Sequence, residues 1–227
     1  MKLESKVVLI TGAKGGLGTF VTNAFLESGA SVIGVSRSIK ATDFPHARFS
    51  AAQAELSSAA EARELVAKFP RIDALVHLVG TFAGGQSVAV TDEGTFERMF
   101  STNFKSALHL IQAVLPMMRE SGGGHILAIG SRAAVEPQPG IAAYAASKAA
   151  LLTLIRTVAL ENKDKQISAN IVLPATMDTP ANRSAMPAAD YSKWVQPAEV
   201  ANMLKTLAAS QPGQISGAVI PIYGGEL

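Results

Sequence analysis

The chain has 227 residues, 48% of them hydrophobic and 17% charged, which fits one large α/β domain with a sizeable core and excludes a disordered chain. A formal net charge of +2 without a basic run gives no argument for nucleic acid or an anionic membrane as partner. Cysteine is absent, which excludes disulfides and a cysteine nucleophile, and the scattered His46, His77, His109 and His125 have no metal-ligand spacing, so no metal is expected.

The segment from Met1 to Ile10 carries an apolar run too short for a signal-peptide core. No stretch approaches the roughly 18–20 consecutive apolar residues of a membrane span. A cytoplasmic location is the expectation.

Short β-branched runs alternate with longer helical patterns. Strands are expected at Lys6–Thr11, Ser31–Ser36, Ala47–Gln53, Ala74–Leu78, His125–Gly130, Ser168–Leu173 and Ala218–Ile222. Runs such as Val7-Val8-Leu9-Ile10 are apolar on both faces, as in a parallel sheet covered on both sides. Helices are expected at about Gly16–Ser28, Ser58–Phe69, Asp92–Arg119, Ala142–Asn162 and Pro197–Ala209, with an irregular Ser38–His46 connection. The alternation predicts a single doubly wound, Rossmann-type parallel sheet of about seven strands, with one domain over residues 1–227.

The first strand runs into Thr11-Gly12-Ala13-Lys14-Gly15-Gly16-Leu17-Gly18 and a helix follows. A pyrophosphate needs backbone N–H groups at a helix N-terminus without side chains in the way, so this turn reads as a dinucleotide cradle. The second strand ends Val35-Ser36-Arg37-Ser38, with Ser36 where NAD-selective sites place a carboxylate. Arg37 suits a ribose 2′-phosphate, with Lys14 a second cation nearby, so NADP(H) is expected over NAD(H). The alternative is that both are solvated surface cations.

Tyr144-Ala145-Ala146-Ser147-Lys148 opens a helix, and positions four apart lie on one face. An ammonium about 5 Å from the phenol would favour the phenolate by roughly 3 kcal/mol, or about two pKa units. That predicts a general acid/base. Ile129-Gly130-Ser131 closes the fifth strand, and the Ser131 hydroxyl suits a substrate carbonyl; its other reading is a turn or capping serine. Asn103 sits mid-helix, where it is a poor helix former, and either holds a water that relays protons to Lys148 or is a tolerated polar residue.

Together these motifs resemble the short-chain dehydrogenase/reductase family over nearly the whole chain. The family signature T-G-x-x-x-G-x-G matches with Gly12, Gly16 and Gly18 lining the cofactor phosphates beside Leu17, and its Asn, Ser, Tyr and Lys set matches Asn103, Ser131, Tyr144 and Lys148. The resemblance implies an adenine contact at Glu55-Leu56, although Glu replaces the usual Asp and a plain helix-flanking carboxylate is the other reading. The usual N-N-A-G reads His77-Leu78-Val79-Gly80, where Gly80 permits close approach to the cofactor and His77 is a structural substitute. After the sixth strand Pro174, Thr176 and Thr179 fall on the nicotinamide side, Thr179 being equally a helix cap before Pro180.

Substrate is expected among residues 80–90, 132–143 and 175–194, the last being the substrate loop. The 179–194 stretch is similar to the dihydropteridine reductase branch of the family, so pterin reduction is the alternative to carbonyl or alcohol chemistry. A cofactor-binding regulator without catalysis is the reading of another class. The resemblance also implies a homodimer or homotetramer through the long helices.

Overall fold

The computed structural model describes residues 3–225. Seven strands form one parallel sheet: β1 Val7–Thr11, β2 Ser31–Ser36, β3 Phe49–Gln53, β4 Ala74–His77, β5 Gly124–Ile129, β6 Ile167–Pro174 and β7 Val219–Ile222. They lie in the order β3-β2-β1-β4-β5-β6-β7. The chain winds outward from β1 to β3 and then crosses back to β4, so the order reverses between β1 and β4. A crevice opens beyond the carboxyl ends of strands at such a reversal, and the site residues lie along that edge.

Alternation along β1 explains the double coating. Val8 and Ile10 pack with α1 (Gly18–Glu27) and α7 (Pro197–Ala209) on one face. Leu9 joins Leu65, Leu110 and Ile155 on the other, from α2 (Ala59–Val66), α4 (Ser106–Glu120) and α5 (Ala142–Glu161). Because both faces are dry at the centre of the sheet, β1, β4 and β5 are almost wholly buried and mainly apolar, whereas the edge strand β3 is mostly exposed. Ser58 and Glu61 form the capping box that starts α2.

The expected helix over Asp92–Arg119 is interrupted. Asp92 caps α3 (Glu93–Phe100), a π-helical turn occupies Ser101–Lys105, and α4 follows. Wide turns of this kind let a side chain leave the regular helical face. Here that side chain is Asn103, buried and bonded across to Thr81. The 38–46 connection holds one 3-10 turn, Ala41–Asp43, and a further short helix, α6 (Pro180–Ala185), starts after the Thr179 cap. Several helix ends are shorter than expected, α1 by two residues at its start and α2 by three at its end.

One helix, α5, is long and apolar enough to cross a membrane, with a mean hydropathy of 1.3, against the expectation that no stretch is. Its inward residues Leu151, Ile155, Val158 and Ala159 belong to the core beneath the sheet, so its apolarity is that of a central packing helix.

His77 closes β4 in a fully dry position and joins two elements. Its Nδ1 lies 3.0 Å from Thr11 Oγ1 and its Nε2 3.2 Å from Ser106 Oγ. Ser106 donates its proton to the Thr102 carbonyl at 2.6 Å, so Nε2 must be the ring donor and Nδ1 accepts from Thr11. Thr11 Oγ1 in turn accepts the Leu78 amide at 3.2 Å. Burial, and then the charge of Lys148, push the imidazole pKa down to about 3. The folded state therefore resists a proton that the unfolded chain takes up below about 6.5. Stability from this group is present above that pH and falls by about 1.4 kcal/mol per unit as pH drops toward 3. Urea midpoints should fall more steeply between pH 6.5 and 4.5 for the native chain than for His77→Asn; equal slopes would contradict a buried neutral imidazole.

Candidate active site

The glycine turn follows β1 directly, and its glycines serve different ends. Gly12 takes a left-handed φ of +67°, which turns the chain sharply. A Cβ on Gly18 would run into Gly12 O and approach Ala13 C to 2.7 Å, and one on Gly16 would press Thr179 Cγ2 at 3.2 Å. Gly18 therefore lets α1 close onto the turn, while Gly16 lets the turn meet the segment after β6. Leu17 is buried beneath the turn at the start of α1, where no side chain caps the helix and no acidic residue occupies the first turn. A helix start without a side-chain cap or a carboxylate favours an anion.

The Ala13 amide donates to Val35 O at 3.3 Å, which binds the turn to the end of β2. There the Ser36 hydroxyl oxygen is buried and has no hydrogen-bond partner. Arg37 beside it is exposed. Lys14, expected as a second free cation, instead pairs with Asp43 at 2.9 Å. That contact and the Lys40 amide hold the Asp43 carboxyl below its ordinary range. Beyond β3, Glu55 is exposed, whereas Leu56 is buried in a left-handed conformation with φ +62°. A bulky side chain at positive φ costs on the order of 1–2 kcal/mol, so its packing against the core must hold it there.

Ser131, Tyr144 and Lys148 converge beyond β5. Ser131 follows the strand and opens a 3-10 turn, its Oγ accepting the Ala133 amide at 3.2 Å. The capping role and nearness to Tyr144 coexist: burial raises the Tyr144 pKa, and the Ser131 hydroxyl opposes that rise. This corrects the expected lowering by Lys148, which has another task. Its Nζ donates to Ile129 O at 2.9 Å, and burial brings its own pKa down to about 8.

Asn103 is clamped by the protein. Its Oδ1 accepts the Thr81 amide at 2.7 Å, while Nδ2 donates to Thr81 O at 3.0 Å and to Ser147 Oγ at 2.9 Å. The amide thus ties the segment after β4 to α5. Thr81 carried no signal in the sequence, and Ser147 was passed over between Tyr144 and Lys148. Gly80 also has a use within the protein itself. A Cβ there would meet Lys148 Nζ at 3.1 Å and Asn103 Oδ1 at 3.3 Å, so the glycine makes room for these two side chains.

Pro174 ends β6 and is buried, and beyond it Thr176 O accepts the Val195 amide at 2.9 Å. Thr179 caps α6 through the Asn182 amide at 3.3 Å while its methyl faces Gly16. The helix-capping reading of Thr179 is thus present in the structure. Opposite, Gly85 N donates to Gly140 O at 2.9 Å, and the Phe82 ring meets the Tyr144 ring edge-on at 5.0 Å. Among the described residues no group of three or more His, Asp or Glu side chains is placed to hold a metal.

The short chain dehydrogenase family profile matches residues 6–190. The chain is 30% identical to 2,3-dihydro-2,3-dihydroxybenzoate dehydrogenase of Escherichia coli K12, covering 100% of this chain and 98% of that one. Among solved structures it resembles the Pseudomonas aeruginosa RhlG/NADP active-site complex, with TM-score 0.89 and 28% identity over 99% of this chain and 97% of the other. It also resembles 3-ketoacyl-(acyl-carrier-protein) reductase from Brucella melitensis complexed with NADH, with TM-score 0.87 and 25% identity over 99% of both.

The crowding above Gly80 yields a test. Gly80→Ala should lower stability by about 1–3 kcal/mol, through overpacking against Lys148 and Asn103. Thermal unfolding measures it, and an unchanged midpoint would show that the pocket has slack.

Proposed function

The chain belongs to the short-chain dehydrogenase/reductase family, and from that premise we propose that it is an NADP(H)-dependent oxidoreductase acting between a carbonyl and an alcohol. The observation that carries the reading is the gathering of Ser131, Tyr144 and Lys148 beyond β5, at the same carboxyl edge of the parallel sheet as the glycine turn after β1.

The residues present fit a nicotinamide dinucleotide. Gly12, Gly16, Leu17 and Gly18 present the uncapped amides of α1 to the pyrophosphate. The orphaned Ser36 oxygen and Arg37 receive the ribose 2′ substituent, and a guanidinium beside a hydroxyl suits a phosphate there. Lys14 adds to that charge only in competition with Asp43. Glu55 and Leu56 take the adenine side, and Gly80, Pro174, Thr176 and Thr179 take the nicotinamide side. RhlG, bound to NADP, supports the choice, while the Brucella reductase with NADH marks the alternative.

When bound, the nicotinamide supplies or accepts the hydride. Ser131 orients the carbonyl oxygen by hydrogen bonding, and Tyr144 Oη delivers the proton as that oxygen gains charge. Lys148 places positive charge behind the phenol, and Asn103 fixes the segment that carries Gly80. Residues 175–194 form the substrate loop. The groove between Phe104 and Ala149, Ala150, Thr153, Leu154 and Thr157 supports pairing of α5 with a second copy. Light scattering should then return a multiple of the 23.6 kDa chain mass.

Three outcomes test the proposal. Tyr144→Phe should bind NADPH with unchanged fluorescence titration while carbonyl reduction falls by about 100-fold or more. Full turnover by that variant would sink the mechanism. Since burial raises the phenol's pKa, Tyr144 is a proton donor at neutral pH. Reduction should therefore hold its rate from neutral pH into the alkaline range, while alcohol oxidation climbs as the phenol ionises; an oxidation rate flat in pH would contradict this. Arg37→Asp should weaken NADPH binding by at least about tenfold and spare NADH. An unaltered preference would remove Arg37 from the site.

A further inference from the structure

The three loops at the catalytic edge, residues 80–90, 132–143 and 175–194, share a pattern of charge and apolarity. The first contains no Asp, Glu, Lys or Arg. In the second, Arg132 Nε is 2.6 Å from Glu136 Oε2, and its guanidinium lies 4.7 Å over the Tyr223 ring. In the third, Arg183 grips Asp178 through bonds of 2.6 and 2.8 Å. The Asp190 carboxyl is held low first by the Ser192 hydroxyl and amide and then by the charge of Lys193, which balances it. The charges within each loop thus sum to zero, which leaves each loop with no net charge to offer a carboxylate or phosphate.

What the loops do offer is apolar. Phe82, Val88, Val90, Val135 and Met186 are exposed large hydrophobic side chains, and all five belong to them. Phe82 is the informative one, because it is 63% exposed and yet its ring sits against Tyr144. Its inner edge is fixed by glycine, since a Cβ on Gly84 would meet Phe82 Cζ at 2.8 Å and Ile141 Cγ2 at 2.9 Å. The Gly85–Gly140 bond holds that wall to the neighbouring loop. An aromatic face held rigidly open beside a proton donor is a surface for an apolar flank, where burial is worth about 25 cal/mol per Å².

Resting on the carbonyl reductase reading, we infer that the substrate is an uncharged ketone or aldehyde with a substantial apolar flank, seated on the open face of Phe82 with its carbonyl toward Ser131 and Tyr144. The other two loops at that edge add the exposed apolar side chains Val135 and Met186.

The test is kcat/KM with NADPH for uncharged ketones of rising apolar size, for 2-keto acids of matching skeleton, and for quinonoid dihydropterin, in the native enzyme, Phe82→Ala and Phe82→Leu. The native enzyme should gain about fourfold per added methylene while the flank is being covered, and should disfavour the matched keto acids by tenfold or more. Phe82→Ala should lose about tenfold on the large ketones and little on the smallest, by raising KM, with Phe82→Leu recovering most of the loss. NADPH titration should be the same in all three proteins.

Preference for keto acids or for the pterin, indifference to apolar size, or equal losses on large and small ketones would each overturn the inference while leaving the reductase reading intact. So would a change of oligomeric mass in Phe82→Ala with unaltered selectivity, which would assign these side chains to a contact between copies. Failure of the native enzyme to turn over any carbonyl would overturn the reductase reading, and this inference with it.

Discussion

The ammonium of Lys148 donates to the Ile129 carbonyl in a fully dry position, and much of the site is arranged around that contact. Among the described residues it is the one Lys, Arg, Asp or Glu side chain that is buried. Burial moves its pKa from 10.5 to about 8, which corresponds to about 3 kcal/mol of disfavour for the charged form. That cost is tolerable only where neighbouring dipoles face the charge and nothing crowds it. Ile129 supplies the carbonyl from the end of β5, and Gly80 supplies the space.

The same charge orders its surroundings. Together with burial, the larger cause, it keeps His77 neutral, and the Ser106 bond to Thr102 O sets the ring's proton on Nε2, so that Thr11 and Ser106 are joined through the ring. The Asn103 amide meets Thr81 and Ser147 from a π turn that a regular helix would have carried past them. Glycine turn, central strands and helix α5 are thereby bound into one polar seam across the sheet reversal, with the phenol of Tyr144 at its mouth. Buried polar networks of this kind are stable when each member is satisfied, and the Ser36 oxygen, which lacks a partner, lies outside the seam at the end of β2.

The fold was legible because its signals are local and repeated. Double-faced apolar runs gave the strands, and a glycine turn between β1 and α1 gave the topology its starting point. The family motifs placed Ser131, Tyr144 and Lys148 in order. What sequence could not give were features made by contacts between distant segments. Thr81 meets Asn103 across 22 residues, and Asp43 captures Lys14 from a turn with no helical period. The π turn has no composition of its own, so Asp92–Arg119 reads as a single helix. The expected lowering of the Tyr144 pKa used a solvent-like view of Lys148, whereas burial acts on both groups and in opposite senses.

A measured pKa for Lys148 tests this account most directly. NMR titration of the protein carrying 13C-labelled lysine, with Lys148→Met assigning the resonance, reads that ionisation without requiring turnover. A midpoint near 8 is the predicted result. A midpoint at the ordinary value of 10.5 would mean a solvated ammonium, and would contradict the dry charge on which the seam depends.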